Sequence, residues 1–187
     1  MAEKVDVMKH FYRLLHPRPA VLVTCVDSEG RPNALAISWI SPVSREPPMI
    51  MISVGKKRYS NALIKETGEF VVNIATPELV ENVHFCGTVS GREVEDKIAK
   101  AKLTSEPARA VRAPVIEECP AHLECRVKQV IDCGSHDLIL AEVVAAYADP
   151  RAFKEGLWEQ EVARVLLHAG GNVYSKPSDY FRASGKP

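Results

Sequence analysis

Apolar and polar residues alternate over an unusually long stretch in the second half of the chain. The alternation runs through residues 121–133 and 136–149, and only Gly134 and Ser135 separate the two runs. Successive side chains of a strand point to opposite faces of a sheet, so this alternation is typical of β-strands. The pattern therefore predicts a long hairpin that turns at Gly134 and Ser135.

Shorter runs that are apolar and rich in β-branched residues predict further strands. They cover residues 19–27, 33–40, 49–54, 69–75 and 164–170. Turn-forming residues at 28–32 join the first two runs as a second hairpin. Together with the long hairpin, these runs predict a sheet of at least six strands.

Helical spacing of apolar residues is confined to short segments between the predicted strands. These segments are residues 5–15, 61–66, 77–86 and 93–102, and residues 104–118 follow no regular pattern. Strands that are not separated by long helices argue against a parallel α/β fold. No G-x-G-x-x-G motif for a dinucleotide occurs. The expectation is one domain over residues 1–187, mainly β with flanking α-helices, built as a barrel or sandwich.

The overall charge excludes one broad class of function. Lys and Arg number 24, and Asp and Glu also number 24, so no general positive field attracts nucleic acid or an anionic membrane. Five cysteines without a C-x-x-C pair favour a reducing compartment. No secretory signal or membrane-spanning run is recognised. We therefore expect a cytoplasmic protein without nucleic-acid or membrane partners.

A local cluster of cations offers a way to bind a small anion. Lys56, Lys57 and Arg58 follow a predicted strand and the turn residue Gly55, and Ser60 then opens a predicted helix as its N-cap. Free N–H groups at a helix N-terminus favour phosphate. The alternative is an ordinary solvated charged face, which the sequence alone does not exclude.

The predicted strand 33–40 has two unlike faces. Asn33 and Trp39 lie on one face, and the small residues Ala34, Ala36 and Ser38 lie on the other. Small residues allow either close packing of a neighbouring element or close approach of a flat ligand. Both interpretations remain open at this point.

Other side chains suggest less chemistry. The histidines and cysteines lack repeated chelating pairs, so no metal site is expected. No serine or cysteine lies in a nucleophile-elbow pattern, which argues against a hydrolase. His136 differs because it follows a turn and begins a strand, where polar side chains often face ligands. His168, before Ala169-Gly170-Gly171, resembles it in that respect.

Several short motifs occur in one order along nearly the whole chain. They occupy residues 18–24, 33–39, 58–61, 67–73, 96–97, 134–136 and 170–174. In this order they resemble the flavin reductase-like family, which includes flavoredoxins and the reductase components of two-component monooxygenases. Two positions depart from the family's usual pattern, because Ser60 stands where Thr is common and Ser135 where Asp is common.

The resemblance implies a Greek-key split β-barrel that binds FMN, with FAD a weaker alternative, and that forms a homodimer with flavin sites near the subunit interface. Its electrons would come from NAD(P)H or a protein donor, and a protein could accept them. His136 is the candidate for a catalytic contact. From the residue pattern and the resemblance together, the cofactor-binding set is Asn33, Ala34, Ser38, Trp39, Ser53, Arg58, Ser60, Asn61, Lys97, His136 and Tyr174.

The function expected is thus an FMN-dependent oxidoreductase, either an NAD(P)H:flavin reductase or a flavoredoxin-like electron-transfer protein. One alternative is a non-catalytic FMN protein that carries electrons or stores flavin. Another is a dimeric binding module whose flavin site is vestigial. The long hairpin has apolar residues on both faces, and one domain interior covers only one of them. The other face needs a helix or a second subunit, and we expect a symmetric dimer.

Overall fold

The computed structural model describes residues 3–181 and 183. The two 3₁₀-helices are Met8–Leu15 and Pro77–Leu79, and the α-helices are α1 (Tyr59–Thr67), α2 (Val80–Thr88) and α3 (Lys97–Lys100). The strands are β1 (Arg18–Pro19), β2 (Val21–Val26), β3 (Pro32–Ile37), β4 (Ile40–Ser44), β5 (Met49–Gly55), β6 (Glu69–Ile74), β7 (Ser105–Glu106), β8 (Val115–Ile116), β9 (Ala121–Cys133), β10 (His136–Ala148), β11 (Phe153–Lys154), β12 (Leu157–Trp158), β13 (Leu167–Gly170) and β14 (Val173–Ser175).

One antiparallel sheet of seven strands forms the body of the molecule. Its order is β3-β2-β6-β9-β10-β5-β4. The predicted long hairpin is β9 and β10, which pair from His136–Cys133 to Ala148–Ala121 around Gly134, whose φ is 77°. The expectation of a mainly β fold with flanking helices is confirmed. β13 joins β1 and β14 in a separate small sheet.

The larger hydrophobic core lies between one face of the sheet and α1. Phe70, Ile52 and Ile139 are fully buried there, and Leu63 and Ile64 of α1 pack against them. α1 ends at Gly68, whose φ of 70° suits a residue without a side chain. The helix therefore closes one end of the core and leads directly into β6.

A second core lies on the other face of β2 and β3. Ala34 of β3 and Leu22 of β2 pack there against Val83 and Cys86 of α2 and Ile98 of α3. The approach of α2 to β3 is close, because a Cβ added at Gly87 would lie 3.2 Å from the Cβ of Ala36. The small residues of β3 thus serve close packing along part of the strand.

Buried polar side chains attach the irregular segment 104–118 to the sheet. Asn73 accepts a hydrogen bond from the N–H of Ile116 at 2.9 Å and donates to the carbonyl of Leu22 at 3.1 Å. Glu124, fully buried, accepts from the N–H groups of Arg109 and Ala110. These bonds satisfy polar groups that would otherwise be costly to bury.

Several predicted boundaries differ from the structure. The first helix is a 3₁₀-helix with a kink at His10. The predicted strand 33–40 breaks after Ile37, because the chain leaves β2 there and then pairs with β5 as β4. The predicted helix 93–102 is reduced to α3, since turns precede Asp96, which caps α3 by accepting from the N–H of Ala99. β14 lies in a region for which no strand was predicted.

The buried Glu124 makes stability depend on pH in a defined direction. Burial raises the pKa of Glu124, but the hydrogen bonds from Arg109, Ala110 and Tyr147 outweigh burial and hold the pKa below its ordinary value. Its stabilising contribution is therefore present above the unfolded-state pKa and is lost as the pH falls through the folded-state pKa. We expect Glu124→Gln to reduce the free energy of unfolding by about 1–3 kcal/mol at neutral pH.

Denaturant titrations of wild type and Glu124→Gln from neutral pH down to about pH 3 check this expectation. The difference between the two proteins should shrink as the pH falls. Glu66→Gln, at an exposed position on α1, is the matched control and should track wild type. A Glu124→Gln deficit that stays constant over the whole range contradicts the assignment.

Candidate functional site

A groove runs along β3, where three adjoining cavities open. The largest has a volume of about 660 Å³ and lies at the Asn33 end of the strand. A cavity of about 140 Å³ continues it past Ile37, and one of about 300 Å³ lies beyond, between β3 and the β13–β14 hairpin. Arg58 borders all three cavities. Between Asn33 and Ser38 the backbone covers about 16 Å, at about 3.3 Å per residue.

The Asn33 end of the groove is strongly cationic. Its described lining contains no carboxylate and four cationic side chains, which are those of Lys56, Lys57, Arg58 and Lys97. Lys56 is neutralised by Asp132. The remaining positive charge therefore faces the cavity in a protein whose formal net charge is zero.

Lys97 is the most unusual of these cations, because only 4% of it is exposed. Its Nζ donates to the backbone carbonyl of Cys86 at 2.7 Å. Within residues 3–181 and 183, no carboxylate lies within ion-pair distance of it. Burial lowers the pKa of Lys97, and the charge of Arg58 lowers it further. A buried ammonium of this kind is costly unless an anion joins it.

Asn33 and Ser60 form a buried pair beside Lys97. The amide nitrogen of Asn33 donates to the Ser60 hydroxyl at 2.6 Å, which leaves the hydroxyl proton free to donate elsewhere. The Asn33 Oδ1 atom is buried and has no partner in the described part of the chain. It lies against Gly91, where an added Cβ would come within 2.3 Å of it. The glycine is thus required by the position of the Asn33 amide.

The role predicted for Ser60 as a helix N-cap is wrong. Arg58 is the N-cap of α1, with extended backbone angles, and Ser60 lies inside the first turn. The hydroxyl is consequently not used for capping and points to Asn33. The N-terminus of α1 nevertheless opens on the largest cavity, since Arg58, Tyr59 and Ser60 all line it. A helix N-terminus and two cations therefore meet at this end of the groove.

Small and aromatic residues surround the opposite end. Ala36 and Ser38 line the groove floor, and Gly87 of α2 faces them. The ring of Trp39 stacks on the ring of His136, with centroids 4.9 Å apart and planes inclined by 17°. The guanidinium of Arg18 lies 5.4 Å from the Trp39 ring centroid. This end offers flat surfaces, with the guanidinium groups of Arg18 and Arg58 at its border.

The β13–β14 hairpin adds polar groups to the same end. The Tyr174 hydroxyl lies 3.3 Å from His84 Nδ1. His168 contacts Ser38 Oγ through Nδ1 at 3.2 Å and the carbonyl of Gly171 through Nε2 at 3.0 Å. Ser38 is thereby held from the side of the hairpin.

The structure brings most of the predicted site residues to this groove. Asn33, Arg58, Ser60, Lys97 and His136 line the largest cavity. Ser38, Trp39, Ser53 and Tyr174 border the two smaller ones. Ala34 and Asn61 line none of the three, because Ala34 is buried in the core against α2 and Asn61 donates to the carbonyl of Val54. We do not retain Ala34 and Asn61 as contacts of a ligand.

Some residues of the groove were not among the predicted set. Gly87 and Gly91 both allow close approaches to β3. His84 and His168 border the cavity beside the β13–β14 hairpin. The backbone carbonyl of Cys86 accepts from Lys97. The sequence cannot indicate this contact, because every residue has a backbone carbonyl.

Comparison with known proteins assigns the chain that carries this groove to a family. The model of the flavin reductase-like domain matches residues 11–176. The chain belongs to the flavin reductase-like family. An uncharacterized protein of Archaeoglobus fulgidus is 37% identical over 183 residues, which cover 96% of this chain and 98% of that protein.

Solved structures of flavin reductase-like proteins have the same fold. Flavoredoxin from Methanosarcina acetivorans is 28% identical, with a TM-score of 0.84, and the match covers 98% of this chain and 96% of that one. Nitrilotriacetate monooxygenase component B from Bacillus cereus is 25% identical, with a TM-score of 0.86 and 98% of both chains covered. The predicted split-barrel fold is confirmed by these likenesses. In the described part of this chain, the seven-stranded sheet does not close into a barrel, and β3 and β4 are its two edge strands.

None of the helices in the described ranges combines the length and the apolar character that crossing a bilayer needs.

Proposed function

We propose that this flavin reductase-like protein binds FMN along β3 and works as a flavin-dependent oxidoreductase. The observation that carries the proposal is the buried ammonium of Lys97, which lacks a carboxylate partner in the described chain and lies in a cavity with the Ser60 hydroxyl. Such a group needs a bound anion, and a phosphate supplies one. Bound flavin would supply the redox chemistry, while the protein binds and orients it.

The residues at the Asn33 end suit the phosphate and the chain that carries it. Lys97 and Arg58 contribute charge, the Ser60 hydroxyl has a proton to donate, and the first turn of α1 offers N–H groups. The partnerless Oδ1 of Asn33 is an acceptor, so it suits a ligand hydroxyl. The ribityl phosphate of FMN carries both groups. Riboflavin lacks the phosphate and would leave the Lys97 charge uncompensated.

The other end of the groove suits a planar ring. Ala36, Ser38 and Gly87 allow a flat group to approach the backbone, and the Trp39–His136 stack borders it. Asn33 and Ser38 are about 16 Å apart along the strand, at the usual rise per residue. A ligand with a phosphate at one end and a ring at the other therefore fits this direction. FMN is favoured over FAD, because FMN carries a single terminal phosphate and the described residues at this end of the groove include a single buried cation, Lys97.

Two activities are consistent with this site, and each is supported by a different comparison. The match to the flavin reductase-like domain supports a reductase, for which we propose NADH or NADPH as the electron donor. The likeness to flavoredoxin supports an electron-transfer protein that is reduced by another protein. We propose the NAD(P)H-dependent reductase first, with the electron carrier as the alternative.

The phosphate assignment predicts different effects on FMN and riboflavin. Lys97→Met should weaken FMN binding by about 10- to 100-fold, because a hydrogen bond to a charged group contributes about 1.5–3 kcal/mol. Ser60→Ala should weaken it less, since the backbone N–H groups of α1 remain. Riboflavin should bind both variants as well as wild type. Fluorescence titration with each flavin measures the dissociation constants.

Lys100→Met is the matched control, because Lys100 lies on α3 with Lys97 but is exposed. It should bind FMN like wild type. Equal losses of FMN and riboflavin affinity in Lys97→Met would mean that Lys97 supports the fold or the ring, and the phosphate assignment would then be wrong.

Anaerobic mixing separates the reductase from the carrier. The FMN-loaded protein should lose its visible flavin absorbance within seconds when NADH or NADPH is added. Absorbance that persists with both nucleotides, but disappears with dithionite, rejects the reductase and supports the carrier. A protein that stays colourless after incubation with FMN rejects every flavin-dependent function.

We also propose that the protein acts as a homodimer. Ile139 and Ala141 of β10 are fully buried in the core, but Leu138 and Leu140, on the opposite face of the same strand, remain partly exposed. On the paired strand, Ile131 lies opposite Leu138 on the same face and is also partly exposed. A second copy of the chain would cover this apolar face.

Sedimentation equilibrium tests the dimer at micromolar concentration. Wild type should have twice the 20.6 kDa mass of one chain. The Leu138→Glu/Leu140→Glu variant should approach the mass of a monomer, because it places charges on the face to be covered. Glu66→Gln again serves as a control outside this face. A wild-type monomer that still holds FMN would contradict the proposal.

A further inference from the structure

We propose that His168 is a positioning residue that fixes the direction of the Ser38 hydroxyl and makes Ser38 a hydrogen-bond acceptor toward the flavin ring. The inference rests on the proposed function, since it concerns the ring end of the same groove. It adds a role for the β13–β14 hairpin, which the phosphate end does not involve.

The contacts of His168 determine its tautomer. Nε2 lies 3.0 Å from the backbone carbonyl oxygen of Gly171, and a carbonyl oxygen only accepts. Nε2 must therefore carry the proton. In the neutral imidazole, Nδ1 then holds a lone pair, and it lies 3.2 Å from Ser38 Oγ. The Ser38 hydroxyl must point its proton at Nδ1.

This arrangement leaves Ser38 with one kind of hydrogen bond to offer. Ser38 borders both smaller cavities, which lie at the ring end of the groove. Its proton is engaged by His168, and only lone pairs remain. Ser38 thus prefers a ligand N–H group over a bare ring nitrogen or a carbonyl oxygen.

Neighbouring rings hold His168 in place. The ring of His16 and the ring of Tyr174 each have their centroid 5.2 Å from that of His168. Arg18 lies opposite His168 in the β1–β13 register, and its guanidinium binds the carbonyl of Tyr12. The imidazole is therefore packed between two strands and two rings, which restricts its rotation.

The preference has a consequence for flavin. A flavin ring carries more N–H groups when it is reduced, so an acceptor at Ser38 favours the reduced ring relative to the oxidised one. If His168 is replaced by a residue that accepts no hydrogen bond, the Ser38 hydroxyl is free to turn and donate. It then favours the oxidised ring. The residue at position 168 thus determines whether Ser38 favours the reduced or the oxidised flavin.

The test is a double-mutant cycle read as the midpoint potential of the bound FMN. The proteins are wild type, Ser38→Ala, His168→Phe and the double variant. In wild type, Ser38→Ala should lower the ratio of reduced to oxidised FMN affinity by up to about tenfold, which is about 30 mV for a two-electron couple. In the His168→Phe background, Ser38→Ala should raise the potential or leave it unchanged.

His168→Gln is the conservative control, because its amide can both donate to Gly171 and accept from Ser38. In that background, Ser38→Ala should again lower the potential. Equal effects of Ser38→Ala in the His168→Phe and wild-type backgrounds would overturn the proposal, since a merely structural histidine gives additive shifts. If wild type binds no FMN, the proposed function fails instead.

A measurement on the wild-type protein needs no variant to fold. The nitrogen chemical shifts of the His168 imidazole distinguish a protonated Nε2 from a protonated Nδ1. Nitrogen-15 NMR at about pH 8, where imidazoles are mainly neutral, should show a proton on Nε2 and none on Nδ1. A neutral imidazole with its proton on Nδ1 would refute the assignment directly.

Discussion

The close approach of α2 to β3 is the constraint on which both ends of the groove depend. Ala36 and Gly87 lie so near each other that a Cβ on Gly87 would come within 3.2 Å of the Ala36 side chain. This contact places the end of α2 beside β3, and the carbonyl of Cys86 then receives the ammonium of Lys97. The same packing forms one wall of the cavity beside the β13–β14 hairpin. The small residues Ala36 and Gly87 therefore determine where a cation and a flat surface can lie.

Much of the fold was predictable because its signals are local. Alternation over residues 121–149 and the turn at Gly134 specify β9 and β10 without knowledge of the rest of the chain. The site was predictable only in part. Ser60 follows a cation cluster, which suggests an N-cap, but α1 starts two residues earlier than this predicts and frees the hydroxyl for Asn33.

Other features depend on tertiary packing and leave no trace in a local pattern. The alternation of β3 continues in the sequence through Ser38 and Trp39, but the chain turns there to reach β5. The backbone N–H of Ser53 donates to the Trp39 carbonyl at 2.9 Å. In the sequence, Lys97 cannot be told from an exposed lysine of a short charged helix. Its burial depends on the packing of α2 and β3, which the local sequence does not reveal. Ala34 and Ala36 share one face of β3, yet only Ala36 reaches a cavity, because the second core covers Ala34.

The two ends of the groove differ in how they treat polar groups. At the Asn33 end, folding buries an ammonium that has no carboxylate partner and an amide oxygen that has no hydrogen-bond partner among residues 3–181 and 183. Each costs stability in the free protein, and a ligand that supplies an anion and a hydroxyl relieves both costs. At the Ser38 end, the hydroxyl of Ser38 is already paired with His168, which also contacts the carbonyl of Gly171. Affinity for a flavin phosphate would therefore arise mainly at the first end, whereas the hydroxyl at the second end can discriminate between states of the ring.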